Sequence, residues 1–239
     1  MRILILFILF SSAAFGQHDD ACKENCSIAE TERMAHARIG NRENATAASA
    51  NFDVTYNRCN WQIDPAVNYI AGNVTLYFKV NTASNSITLD LMSVLVTDSV
   101  LQRGNQLTFS QPNNTLQIEF ANTIAAGGVD SVSIYYKGTP PTTGFGSFIQ
   151  SSHAGVPILW TLSEPYGSRD WWPCRNGLDD KIDSIDIFIT TPVAYKAASN
   201  GMLQSETIIN GGTHLTAHWK HRYRITTYLV CFAVTNYAV

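Results

Sequence analysis

From Phe52 almost to its end, the chain is cut into short stretches where apolar and polar residues alternate, each closed by turn-forming residues. A period of two puts every apolar side chain on one face of an extended strand, whereas a helix needs apolar residues three and four apart. Phe52 to Tyr56 alternates without a break, and Thr75 to Val80 does so with one slip at Tyr77-Phe78. Ile87 to Leu91, Val94 to Val100, Leu107 to Phe109, Leu116 to Phe120 and Ser131 to Tyr136 follow at short spacing. Ile158 to Leu162, Ser184 to Thr190, Thr207 to Ile209, His214 to Trp219 and Thr226 to Val234 complete the series. Gly104-Asn105, Pro112-Asn113-Asn114, Gly127-Gly128 and Asn210-Gly211-Gly212 separate them with residues that accept tight-turn backbone. Many short strands with frequent turns predict an all-β fold of sheets packed face to face.

Composition agrees. Of 239 residues, 22 are Thr, 20 Ile and 14 Val, and such β-branched side chains suit a pleated surface better than a helix. A hydrophobic fraction of 45% excludes wholesale disorder, and the β-branched excess disfavours helical bundles and coiled coils. Only 15% of residues are charged, the net charge is −3, and Lys and Arg form no run. Nucleic acid and anionic membrane are therefore poor candidates for the main partner.

The amino terminus reads as an export signal over residues 1–16. Arg2 precedes the apolar run Ile3 to Phe10, and Ala14-Phe15-Gly16 gives a small-x-small cleavage site before Gln17. An apolar stretch this short cannot span about 30 Å of hydrocarbon as a helix, and no other segment reaches that length. The chain is expected to be exported, secreted or periplasmic, without a transmembrane segment. Residues 17–50 form a second unit: Ser27 to Ile39 reads as a helix with Ser27-x-x-Glu30 as a capping box, followed by a polar linker from Gly40 to Ala50. The β-domain occupies 51–239. Five cysteines, Cys22, Cys26, Cys59, Cys174 and Cys231, allow disulfides in an exported protein but leave at least one thiol over, and their pairing stays open. Asn25, Asn44, Asn73 and Asn113 head Asn-x-Ser/Thr triplets, which matter only in a eukaryotic secretory pathway.

Motif by motif, no complete active site emerges. His214 and His218 have the His-x-x-x-His spacing of zinc hydrolases, but Leu215 stands where the motif needs Glu, and the segment alternates like a strand. Four residues along a strand span roughly 13 Å, too far for two imidazoles to share one metal. Cys22-x-x-x-Cys26 lacks a second half for a zinc site. A Gly-x-Ser-x-Gly elbow, a phosphate-binding loop and a dinucleotide fingerprint are all missing. One long segment, Gly138 to Phe148, is too rich in Gly and Pro for a ladder strand; it reads either as a functional loop or as an ordered crossover between sheets.

The most informative stretch runs from Trp160 to Lys181. It holds Glu164 five residues before Arg169, then Trp172-Pro173-Cys174, the acidic pair Asp179-Asp180, and Lys181. Further on come Tyr195 to Gly201, ending in Asn200-Gly201, then His218 to Ile225, and Thr227 to Val230. In these places the chain resembles the N-terminal β-domain of the aminopeptidase N-type zinc metallopeptidases over roughly Asn51 to Val239. It departs at Arg224, where that family usually has Pro before Ile, which puts the local turn in doubt.

The resemblance implies a saddle-like, multi-sheet β-sandwich lacking the zinc-binding catalytic domain that follows it in the family. In the intact family enzyme zinc activates a water, and an acidic cluster holds the free α-amine of a peptide substrate. Glu164 matches the residue this domain lends to that cluster, and Tyr166 would line the first substrate subsite. By the same resemblance the chain itself carries no catalytic residue and binds no zinc; its partners are peptides with a free N-terminus and the downstream catalytic domain. Without the resemblance, Glu164 reads as a strand-end surface carboxylate and Tyr166 as a turn tyrosine. Arg169 is expected to hold the loop, and Trp171 and Trp172 to pack in a core or between domains. The competing function is a stand-alone peptide- or glycan-binding module using the Trp171-Trp172 loop as its contact surface.

Overall fold

A computed structural model of the chain describes residues 46–142 and 147–237. The export signal, the 27–39 helix, most of the linker, Cys22 and Cys26, and positions 143–146 of the Gly/Pro-rich loop lie outside the described residues.

The described residues form fifteen strands: β1 (Phe52–Gln62), β2 (Ile70–Val80), β3 (Ser84–Asp90), β4 (Leu95–Gln102), β5 (Asn105–Gln106), β6 (Thr108–Ser110), β7 (Thr115–Ile124), β8 (Val129–Gly138), β9 (Phe148–His153), β10 (Val156–Thr161), β11 (Ser184–Pro192), β12 (Lys196–Ser199), β13 (Met202–Ile209), β14 (His214–His221) and β15 (Phe232–Thr235). They form an eight-stranded sheet in the order β13-β14-β11-β1-β2-β8-β4-β5, a four-stranded sheet β12-β15-β10-β9 and a three-stranded sheet β3-β7-β6. Neighbours are antiparallel except β1 and β11, which run parallel with Asn60 opposite Phe188. The all-β, multi-sheet expectation holds.

Alternation explains which face is covered. Val74, Leu76 and Phe78 of β2 point inward, together with Ile185, Ile187 and Ile189 of β11. Both small sheets pack on this inner face. Phe78 stacks on Phe120 of β7 at 5.7 Å, and Trp61 of β1 lies 5.8 Å from Phe232 of β15. The buried apolar side chains of all three sheets form one continuous core.

Several boundaries differ from the expectation. β1 continues to Gln62, and a bulge between Val54 and Tyr56 resets its alternation so that Asn57, Cys59 and Trp61 turn inward. At the Tyr77-Phe78 slip β2 is unbroken: Phe78 points inward, and Tyr77 lies on the outer face against Tyr56, ring centroids 5.2 Å apart. Thr226 to Val234 is not one strand. A short 3-10 turn at Thr227–Leu229, closed by the Val230 N–H donating to the Thr227 carbonyl, precedes β15. Cys59, Cys174 and Cys231 are free thiols; burial pushes the first two well above the ordinary thiol range.

Candidate functional site

The segment that follows β10 folds back under the large sheet and is tied down at nearly every residue. Ser163 is buried, and its Oγ accepts a 2.9 Å hydrogen bond from the Trp171 indole N–H. Glu164 is exposed, at a cis bond to Pro165. Tyr166 is half-buried, its carbonyl accepting from Asn176 Nδ2 at 2.8 Å. The Gly167 N–H then closes the turn onto the Ser163 carbonyl at 2.7 Å. A Cβ at Gly167 would lie 2.1 Å from Ser147 Oγ and 3.2 Å from the Ser163 Cα, so even a methyl there would have to displace the Ser147 hydroxyl. Ser147 Oγ is itself held by Asp170 at 2.5 Å.

Trp171 and Trp172 are both fully buried. Trp171 packs edge-on against Trp61 at 4.9 Å and Phe232 at 5.4 Å, and its carbonyl accepts from the Tyr136 hydroxyl. The packing role expected of these indoles is observed, whereas the competing idea of a Trp171-Trp172 contact surface fails. Neither ring reaches solvent, because the short 3-10 turn Ser168–Asp170 turns the chain inward just before them.

Charged anchors complete the frame. Asp90, with no exposed surface, accepts hydrogen bonds from Thr46 Oγ1, the Ala47 N–H and the Asn176 N–H at 2.5, 2.7 and 3.1 Å. Three donors replace the water that a buried carboxylate loses. Arg175 donates to the Phe52 carbonyl at 2.8 Å and pairs with both Asp179 and Asp180. The acidic pair seen in the sequence therefore grips an arginine of its own loop. Asp180 is pushed up to about 6, first by burial and then, against the pull of Arg175 and the Val54 N–H, by Asp53. Asp90, Ser147, Arg175 and Asn176 were not singled out in the sequence. Asp90 stands at an ordinary polar place in the alternation Ile87-Thr88-Leu89-Asp90-Leu91, so the sequence gives no local hint of its burial. Arg169 contributes its carbonyl, accepting from the Met92 N–H at 3.0 Å.

The arrangement presents two exposed carboxylates, Asp179, already paired with Arg175, and Glu164, which stands beside a half-buried tyrosine on a backbone held from both ends. It is suited to gripping a cation. A zinc ion does not fit the residues at hand. His214 and His218 lie on β14, as their alternation indicates, and are engaged separately. His214 Nδ1 is 2.8 Å from Thr213 Oγ1, while His218 Nε2 is 2.5 Å from Asp186 Oδ1 with its ring stacked on Phe188. Among the described residues no group of three or more His, Cys, Asp or Glu is placed to hold a metal.

A domain of three β-sheets around one core, with a tethered acidic loop at the edge of β10, defines the structural class. The sequence profile of the Peptidase M1 N-terminal domain matches residues 53–229, and the chain belongs to that family. Solved structures agree in fold. An M1 zinc metallopeptidase from Deinococcus radiodurans superposes with TM-score 0.69 at 22% identity over 77% of this chain. A mutant two-domain M1 zinc metallopeptidase bound to L-arginine gives TM-score 0.71 at 22% identity over 79%. Yeast LTA4 hydrolase gives 0.67 at 18% identity over 81%. The match spans 42%, 43% and 30% of those chains respectively. No curated protein matches the chain.

Proposed function

We propose that this chain is the substrate-gripping N-terminal part of an exported zinc aminopeptidase, with Glu164 accepting the α-ammonium of a peptide and Tyr166 lining the first subsite. The reading rests chiefly on one observation: Glu164 is exposed on a loop whose neighbours Ser163, Gly167 and Trp171 are buried and hydrogen-bonded. Such a carboxylate is pre-positioned, and a carboxylate meeting an ammonium makes a charge-assisted hydrogen bond. Metal chemistry and the general base would come from the portion of M1 relatives outside the matched length. By itself this chain is then expected to leave aminoacyl reporter substrates uncut.

The test uses the intact protein carrying its catalytic domain. Glu164→Ala should lower kcat/KM on free peptides roughly ten- to hundredfold, mainly through KM, as expected for losing a hydrogen bond of about 1.5–3 kcal/mol to a charged group. Zinc content should stay unchanged, and Glu164→Gln should fall between. Full efficiency in Glu164→Ala would refute the assignment. Export is tested separately: a mature N-terminus at Gln17 on protein recovered outside the cytoplasm supports it, and an intact Met1 there or retention inside opposes it.

A further inference from the structure

The outer face of the eight-stranded sheet carries a feature that the peptidase reading does not use. Tyr69, just ahead of β2, and Tyr77 near its end share one parity and point outward, 38% and 41% exposed. Tyr135 of β8 stands opposite Asn73, midway between them, and is 39% exposed. At about 3.3 Å per residue the three rings mark a line of roughly 26 Å, with a ring about every 13 Å along β2. Each end opens into a cavity. One of about 500 Å³ is walled by Tyr69, Val67, Ile209 and His214 over a floor of Ala71 and Thr190. The other, of about 260 Å³, is walled by Tyr77, Arg103 and Ser131.

Between the rings the face offers amides and hydroxyls: Asn60, Asn73, and Thr75 with Ser133, the last two 2.8 Å apart. Most of its charges are already engaged. Asp186 accepts from Lys220, His218 and Tyr56; Lys137 pairs with Asp98 at 2.9 Å; Arg58 lies 4.4 Å over the Phe188 ring. A cationic ligand finds no unpaired carboxylate between the rings, and a polyanion would meet only Arg58 there, with Lys79 beyond Tyr77. A peptide strand finds no edge, because β1, β2 and β8 are each hydrogen-bonded on both sides. Rings, amides and hydroxyls on an extended surface with little unpaired charge between the rings suit a neutral chain of sugar rings, which stack on tyrosine faces and hydrogen-bond through hydroxyls.

We propose that this face is a binding track for an extended, uncharged polysaccharide chain running from the Tyr69 cavity to the Tyr77 cavity. The proposal is independent of the role given to Glu164. Cellohexaose and chitohexaose serve as extended probes and maltohexaose as a coiled one, titrated into the mature chain by calorimetry and by amide-resolved NMR. Saturable binding of an extended probe is expected, with shifts at Asn73, Thr75 and Ser133. Tyr135→Ala and Tyr77→Ala should each raise its Kd about three- to tenfold, the loss of one ring contact, while Tyr135→Phe keeps most of the affinity. The NMR map of the unmutated protein decides the location even where a variant folds poorly. Absence of binding by all three sugars at millimolar concentration, preference for maltohexaose, or shifts confined elsewhere would each overturn the proposal.

Discussion

Two buried aspartates shift in opposite directions because their partners differ, although burial alone pushes both up. Asp186 sits on β11, where burial pushes its carboxyl up, but hydrogen bonds from Lys220, His218 and Tyr56 outweigh this and hold it below the ordinary range. At Asp180 burial wins over Arg175, and the carboxyl titrates at about 6. The signs for stability follow from proton counting. The native state holds the Asp180 proton more tightly than the unfolded chain does, so this group's contribution falls as pH rises from about 4 to 6 and is flat above. Asp186 contributes stability that is present above about pH 4 and lost as pH falls further. In urea titrations at a series of pH values, Asp180→Asn should gain on the wild type between pH 4 and pH 7. Asp186→Asn should instead trail the wild type at pH 7 and close the gap below pH 4. Curves parallel to wild type for Asp180→Asn would show that the group does not titrate in this window.

At the scale of elements, the register of β1 against β2 depends on one missing side chain. Gly72 lies opposite Trp61, and a Cβ there would sit 2.0 Å from the Asn60 carbonyl oxygen and 3.0 Å from the Trp61 Cα. Backbone atoms at the centre of an eight-stranded sheet cannot step aside as a side-chain tip can. Gly72→Ala should therefore cost about 3 kcal/mol or more, at the upper end of overpacking effects, read as a lower urea midpoint at unchanged slope. A midpoint within error of wild type would mean that the two strands separate more easily than this geometry allows. The strands flanking this contact were legible only in part: Phe52 to Tyr56 and Thr75 to Val80 alternate, whereas the bulge after Val54 and the small residues Ala71-Gly72 hide the halves that meet here. β9 was not: only its first residue, Phe148, is buried, so an edge strand of this kind has no alternation to read. β12 is four residues of Lys, Ala, Ala and Ser, too short and too small to signal itself. The loop after β10 was legible only through its likeness to a known family. Its anchors are long-range, with Asn176 meeting Asp90 86 residues away and Arg175 meeting Phe52 123 residues away, and no local pattern encodes such pairs.

Across the whole molecule the three sheets behave as layers on a single core, and this determines how local damage spreads. All five indoles belong to the larger and four-stranded sheets or the loop between them: Trp61, Trp160, Trp171, Trp172 and Trp219. The three-stranded sheet has none and contacts the rest through side chains such as Phe120, which is 7% exposed and stacked on Phe78. Phe120→Ala thus removes a contact from the one sheet that tryptophan fluorescence does not report directly. Truncating a buried phenylalanine costs about 3–5 kcal/mol, and a domain of this size loses roughly 2–4 °C of Tm per kcal/mol. A fall of about 6–20 °C is expected. If one core unites the sheets, circular dichroism and tryptophan fluorescence should show coincident transitions, both displaced by that amount. If the three-stranded sheet were a separate unit, circular dichroism would show an early partial loss while the fluorescence midpoint stayed at its wild-type value. That second pattern would also remove the basis for treating the tethered loop and its exposed Glu164 as rigid. Asp90, which closes β3 of the same small sheet, is the residue that fixes the loop through Cys174 and Asn176.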